Sequence, residues 1–190
     1  MKEMIKIADT KVYINGRNIY LSDNVDNESM GLICSTILNL IKYDNECDNK
    51  QKDFKKETIN LYINSNGGSI YDMWGLIDII RSSSTTIHTY CTGKAFSAGS
   101  ALLVAGHKRF AYKHSTVMIH ALAGCTCGKY QDMIESIEQK TVLHNMIIDY
   151  YLANTKIPKE KLDEITEKKI DYFISAEEAL NLGIIDEIIG

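Results

Sequence analysis

Thr58-Ile59-Asn60-Leu61-Tyr62-Ile63-Asn64 is an apolar run broken by Ser65-Asn66-Gly67-Gly68, after which Ile70, Met73, Trp74, Ile77 and Ile80 recur at helical spacing. The pattern predicts a buried strand, a turn, and a helix ending near Ser82-Ser83-Ser84. A second strand over 86–91 leads into Gly93-Lys94-Ala95-Phe96-Ser97-Ala98-Gly99, and a helix of small residues follows over 98–105. Two more strands are predicted over 108–112 and 116–120. Strands that alternate with helices in this way make right-handed crossovers over a largely parallel sheet, so the fold class is α/β.

Upstream, residues 11–14 and 19–22 read as two short strands around the turn signal Asn15-Gly16. Met30, Ile33, Ile37, Leu40 and Ile41 then mark a helix. The polar stretch 43–56 reads as a loop or frayed helix end. Downstream, 130–154 is the longest helical pattern in the chain. Pro158 suits the first turn of a helix reaching Lys168. Ser175-Ala176-Glu177-Glu178 reads as a capping box opening a short helix that Gly183 ends, and 184–189 closes as a strand.

A chain of 190 residues suits one domain, taken here as residues 1–190, and can bury a sizeable core. The net charge of −4 gives no general attraction for nucleic acid or an anionic membrane. No apolar stretch approaches the length of a membrane span, and Met1-Lys2-Glu3-Met4-Ile5-Lys6 carries no apolar core of a secretory signal. The expected location is the cytoplasm, without nucleic-acid or membrane partners. Five cysteines, an odd number, read as free thiols in that setting. Cys125-Thr126-Cys127 lacks the spacing of a zinc site, so no metal is expected.

Ser97 stands where a strand meets a helix, a setting that can hold a hydroxyl at the tip of a turn beside free N–H groups. Serine is a poor nucleophile unless a base and an orienting carboxylate join it. His120, closing Val117-Met118-Ile119-His120, and Asp171, opening Asp171-Tyr172-Phe173-Ile174-Ser175, are the candidates. By spacing alone the trio is one of many that five histidines and numerous serines allow. Each member also has an ordinary use: small-residue packing, a satisfied strand-end histidine, a surface turn. Gly67-Gly68 can turn backbone N–H groups toward a substrate and so build an oxyanion hole. A phosphate cradle is not supported, because neither GxGxxG nor a Lys-Ser/Thr ending follows. The Gly-x-Ser-x-Gly elbow is absent as well.

Taken together, these segments resemble the Clp protease proteolytic subunits, the ClpP-type serine peptidases. The resemblance runs from about Lys11 to Ile189 through the blocks 61–70, 91–100, 108–110, 117–120 and 171–179. It implies a crotonase-like spiral of ββα units with a protruding strand-and-helix handle at about 121–154. It implies Ser97 as nucleophile, His120 as base then acid, Asp171 as orienting carboxylate, and Gly68 and Ala98 N–H groups as the oxyanion hole. Gly67, Ser69, Ile70 and Leu122 would contact substrate, and Tyr62 and Phe110 would belong to a groove for unfoldase loops. The implied activity is endopeptidase cleavage of polypeptides or peptides, without a cofactor, inside stacked heptameric rings fed by an ATP-driven AAA+ unfoldase.

Five positions depart from the family pattern: Asn66 for a proline, Ala98 for a methionine, Ala121-Leu122 for a polar residue and proline, and Ile170 for an arginine. The first two bear on the width of the first specificity pocket, and the last on how rings join. Three other readings share much of the pattern. They are a stand-alone or phage capsid-maturation peptidase of the same family, a non-catalytic ring subunit, and a crotonase-type acyl-CoA enzyme.

Overall fold

The computed structural model describes residues 5, 6 and 11–190. The reading of residues 1–6 therefore lies largely outside the described residues. Among the described residues, nine strands and six helices follow in the order β1 (Ile5–Lys6), β2 (Val12–Asn15), β3 (Asn18–Leu21), α1 (Asn27–Lys50), β4 (Ile59–Ser65), α2 (Ile70–Ser82), β5 (Ile87–Phe96), α3 (Ala98–Ala105), β6 (Lys108–Tyr112), β7 (Thr116–Ile119), α4 (Tyr130–Asn154), α5 (Lys159–Lys168), β8 (Tyr172–Ser175), α6 (Ala176–Asn181) and β9 (Glu187–Ile189). The main path of the sheet is β1-β2-β3-β4-β5-β6-β9. From β3 to β9 the pairs are parallel, as the alternation of strands and helices predicts.

Residues of β4 alternate between faces. Ile59, Leu61, Ile63 and Ser65 are buried, whereas Asn60 and Tyr62 are only half-buried. β5 repeats this with Ile87, Thr89 and Cys91 inside and His88 and Tyr90 on the other face. The helices thus cover one face, and each Ile or Leu fully buried there stabilises the fold by about 1.5–3 kcal/mol. α3 is buried along its whole length, which explains its run of small residues between sheet and neighbouring helices. The uncovered face carries an aromatic ladder: Tyr20, Tyr62, Tyr90 and Phe110 stack in sequence at centroid spacings of 4.7 Å. The strand expected over 58–64 is thus present, buried on the helix-covered face.

Two local expectations also change. The helix α1 runs on to Lys50 instead of fraying at residue 43. Asp44, fully buried, holds it there by accepting from Arg17 and from Thr85 Oγ1 at 2.8 Å. Burial would raise the Asp44 carboxyl, but its bonds to Arg17 and Thr85 outweigh that and keep it below its ordinary value. The capping box at Ser175 is half formed. Ser175 Oγ accepts from the Glu178 N–H at 3.2 Å, while the Glu178 carboxylate takes the Tyr172 hydroxyl instead. Strand β9 is shorter than expected, beginning only at Glu187.

Residues 121–129 form no strand, so only the helical half of the expected handle, α4, is present. A lone extended segment has no neighbour for its N–H and C=O groups within one chain, and it stays irregular. Ile137, Val142 and Met146 on α4 are more than 40% exposed. No helix among the described residues is long and apolar enough to cross a membrane.

Candidate active site

Strand register brings the three distant side chains together. β5 keeps step with β4 as far as Ile63↔Cys91, then shifts so that Ser65 lies opposite Ala95. Beyond the shift β5 pairs with β7 in parallel, Phe96 beside Met118, so Ser97 and His120 emerge from the same ends of neighbouring strands. β7 pairs antiparallel with β8, Ile119 beside Tyr172, which sets Asp171 next to His120 on the far side. Each residue stands just beyond a strand end, where the backbone is rigid and the side chain is free.

Ser97 takes φ 53° and ψ −120°, a region that costs a non-glycine residue about 1–3 kcal/mol. Surrounding bonds over-determine it. The Ser97 N–H donates to Met118 O at 2.8 Å, and the Ser97 carbonyl accepts from Ser100 N–H at 3.0 Å and Ser100 Oγ at 2.6 Å. The Ser97 side chain caps nothing in α3; it lies 2.7 Å from His120 Nε2. In the Nδ1–H tautomer, Nε2 is the acceptor and can take the hydroxyl proton.

The Asp171 side is looser. Asp171 Oδ1 lies 3.9 Å from His120 Nδ1, beyond hydrogen-bond reach, and its side chain is 57% exposed against 26% for His120. The Ser97 hydroxyl and the His120 imidazole are therefore in contact, and the Asp171 carboxylate is adjacent but not engaged.

Gly68 and Ala98 line the same cavity as Ser97. Ala98 opens α3, so its N–H has no partner in the helix, and Gly68 stands beside Val25 with the bonds running through Gly67 O and Ser69 N–H instead. Among the described residues neither amide has an acceptor. Gly67, at φ +92°, is pressed against the serine turn: a Cβ there would meet Phe96 O at 2.6 Å, Ser97 Cβ at 2.8 Å and Ala98 N at 2.9 Å. A Cβ on Gly68 would strike Val25 O at 2.2 Å. Both positions require glycine for close approach.

A cavity of about 310 Å³ opens beside Ser97, lined by Asn66, Gly68, Ile70, Met73, Ala98, Met118, Leu122, Ile147 and Tyr151 among others. Ile70 and Leu122 line this cavity. Gly67 packs against the serine turn, and Ser69 caps α2 by accepting from Asp72 N–H at 3.3 Å. Met73, Met118 and Tyr151 went unassigned in the sequence because nothing local ties them to residue 97. A larger cavity of about 510 Å³ lies across His120 and includes Asp171, Lys140 and Lys169. Tyr62 and Phe110 lie in the aromatic ladder on the opposite sheet face. Ile170 packs against the core. No three His, Cys, Asp or Glu side chains gather as a metal site needs among the described residues.

Residues 2–190 match the profile of the family described as Clp protease. A protein of Deinococcus radiodurans named ATP-dependent Clp protease proteolytic subunit is 36% identical over 136 residues, spanning 70% of this chain and 66% of that one. Subunit 2 of Parasynechococcus marenigrum is 33% identical over 175 residues, 91% of this chain and 83% of its own. Subunit 1 of Prochlorococcus marinus is 34% identical over 174 residues, 90% and 83% respectively.

Proposed function

This chain belongs to the Clp protease family, and from that premise we propose that it is a serine endopeptidase using Ser97, His120 and Asp171. The observation that carries the reading is the 2.7 Å contact between Ser97 Oγ and His120 Nε2 at a strained turn. Ser97 Oγ attacks the peptide carbonyl carbon while His120 Nε2 takes its proton, and the tetrahedral oxyanion accepts from Gly68 and Ala98 N–H groups. Collapse breaks the C–N bond, His120 protonates the departing amine, and an acyl-enzyme ester remains. Water, deprotonated by His120, then attacks the ester and returns Ser97 with a carboxylic acid product. Asp171 would hold the Nδ1–H tautomer and stabilise the imidazolium. Its 3.9 Å separation requires a small inward shift, of the kind catalytic hydrogen bonds undergo on substrate binding.

The apolar cavity, with Ile70 and Leu122 on its wall, supports apolar side chains at the residue before the cut. The exposed Ile137, Val142 and Met146 on α4 support assembly through the handle into rings, because apolar side chains left in water on a projecting helix favour association. A further proposal is that an AAA+ unfoldase, the source of ATP dependence, docks at the ladder containing Tyr62 and Phe110. The expected substrates are unfolded polypeptides in the cytoplasm, with no cofactor. The loose Asp171 is the one feature that favours the alternative of a non-catalytic ring subunit. Fluorophosphonate labelling decides between them. The peptidase reading expects covalent labelling of the assembled wild type that Ser97→Ala abolishes; an unlabelled wild type supports the scaffold.

A further inference from the structure

The Ser97 turn is tied to α4 by a chain of buried hydroxyls that the catalytic chemistry does not itself require. Ser100 Oγ donates to the Ser97 carbonyl at 2.6 Å and lies 2.6 Å from the Tyr151 hydroxyl. Because the single Ser100 proton is committed to the Ser97 carbonyl, the Tyr151 phenol must be the donor to Ser100. The order is therefore Tyr151 O–H to Ser100 Oγ–H to Ser97 C=O. Ser100 is completely buried and Tyr151 nearly so, so the two hydroxyls bond within the protein. Burial also pushes the Tyr151 phenol well above its ordinary pKa, so the donor proton stays in place across the working pH range.

The link joins the Ser97 turn to the C-terminal part of α4, where Ile147, Ile148, Tyr150 and Leu152 also pack against the core. α4 leaves the core along most of its length, with only Leu143 and Tyr151 buried. Its C-terminal end forms one wall of the cavity beside Ser97 through Ile147 and Tyr151. The neighbouring Tyr150 makes a separate bond, its hydroxyl donating to Ala101 O at 3.1 Å, and it does not line the cavity.

We propose that Ser100 and Tyr151 are positioning residues for the Ser97 nucleophile: their hydroxyl chain holds the strained turn in its reactive geometry and makes that geometry depend on how α4 is seated. The inference rests on the serine-peptidase reading. Its physical basis is that a non-glycine residue at φ 53° relaxes unless its peptide is held from several sides. Displacement of a nucleophile by an ångström is enough to slow chemistry greatly while leaving substrate binding almost unchanged.

The test uses intact assembled protein and compares wild type with Tyr151→Phe, Ser100→Ala, the double variant, and Tyr150→Phe. Three readouts are taken: the rate of fluorophosphonate labelling, kcat and KM on a fluorogenic peptide, and the melting temperature. Tyr151→Phe keeps the ring and leaves Ser100 still bonded to Ser97, so it should fold normally. We expect Tyr151→Phe to slow labelling and kcat by about fivefold, and Ser100→Ala by about tenfold, with KM changed less than about twofold. The double variant should lose no more than Ser100→Ala alone, because the chain acts as one unit. Tyr150→Phe should keep wild-type rates whatever it does to melting. The inference is overturned if Tyr151→Phe and Ser100→Ala label at the wild-type rate, if their losses multiply in the double variant, or if Tyr150→Phe slows labelling equally. A wild type that does not label removes the peptidase reading and this inference together; a labelled wild type with unaffected variants removes the positioning chain alone.

Discussion

The two sides of His120 are built on different principles. On the Ser97 side, the neighbour follows directly from a central strand, its peptide is held by Met118 and Ser100, and the helix after it is wholly buried. On the Asp171 side, the neighbour precedes an outlying strand, its side chain is mostly exposed, and the gap is 3.9 Å instead of 2.7 Å. The Ser97–His120 pair is therefore organised by the core of a single chain. Asp171 is positioned at the periphery, beside α5, β8 and the irregular 121–129 segment. The contrast teaches that the serine–histidine contact comes with the folding of the core, whereas the approach of the carboxylate to the imidazole is left open at an exposed edge.

The largest effect should come from attacking the well-held side. Ser97→Ala or His120→Ala should lower kcat by about a millionfold on a fluorogenic peptide, each nearly as much as both together, because the pair works as a unit. Asp171→Asn sharpens the comparison: we expect a loss of about 10²–10⁴, smaller than for Ser97 and caused by the wrong imidazole tautomer. If Asp171→Asn equals Ser97→Ala, the two sides are not different in kind. Gly67→Ala should lower kcat by about a hundredfold by displacing the serine turn, since its Cβ would meet Phe96 O, Ser97 Cβ and Ala98 N within 3 Å. Unchanged turnover in that variant would mean the turn is softer than its bonding suggests.

The smallest effect on rate belongs to a carboxylate that is fully held, Asp44. Its folded-state pKa is depressed, so its contribution is complete above the unfolded value of about 4 and fades as pH falls through the folded value. Asp44→Asn should lower the melting temperature by roughly 10 °C at pH 7, through loss of a buried ion pair, with little change in kcat. Melting curves of wild type and variant should converge as the pH is lowered below about 4. A gap that persists in acid would show that packing, and not charge, carries the effect.

Much of the fold was legible because its signals are local. The alternation in 58–64, the helical spacing from Ile70 to Ile80 and the small-residue run after Ser97 each speak for themselves. What stayed hidden depends on distant partners. Nothing near Asp44 reveals that Arg17 and Thr85 will keep α1 helical to Lys50. Glu178 satisfies the capping pattern, yet Tyr172 captures its carboxylate. At the site, Ser97, His120 and Asp171 could be named only by resemblance, because the register shift in β5 that unites two of them has no local marker apart from Gly93. Tyr151 was out of reach for the same reason: 51 residues separate it from Ser100.

The backbone at residue 97 points to a last consequence. A glycine there would occupy φ 53° and ψ −120° without discomfort, so Ser97→Gly should be inert yet at least as resistant to heat as the wild type. The chain keeps a small, permanent tension at one bond pair, and a sequence drifting away from catalysis would be expected to release it first.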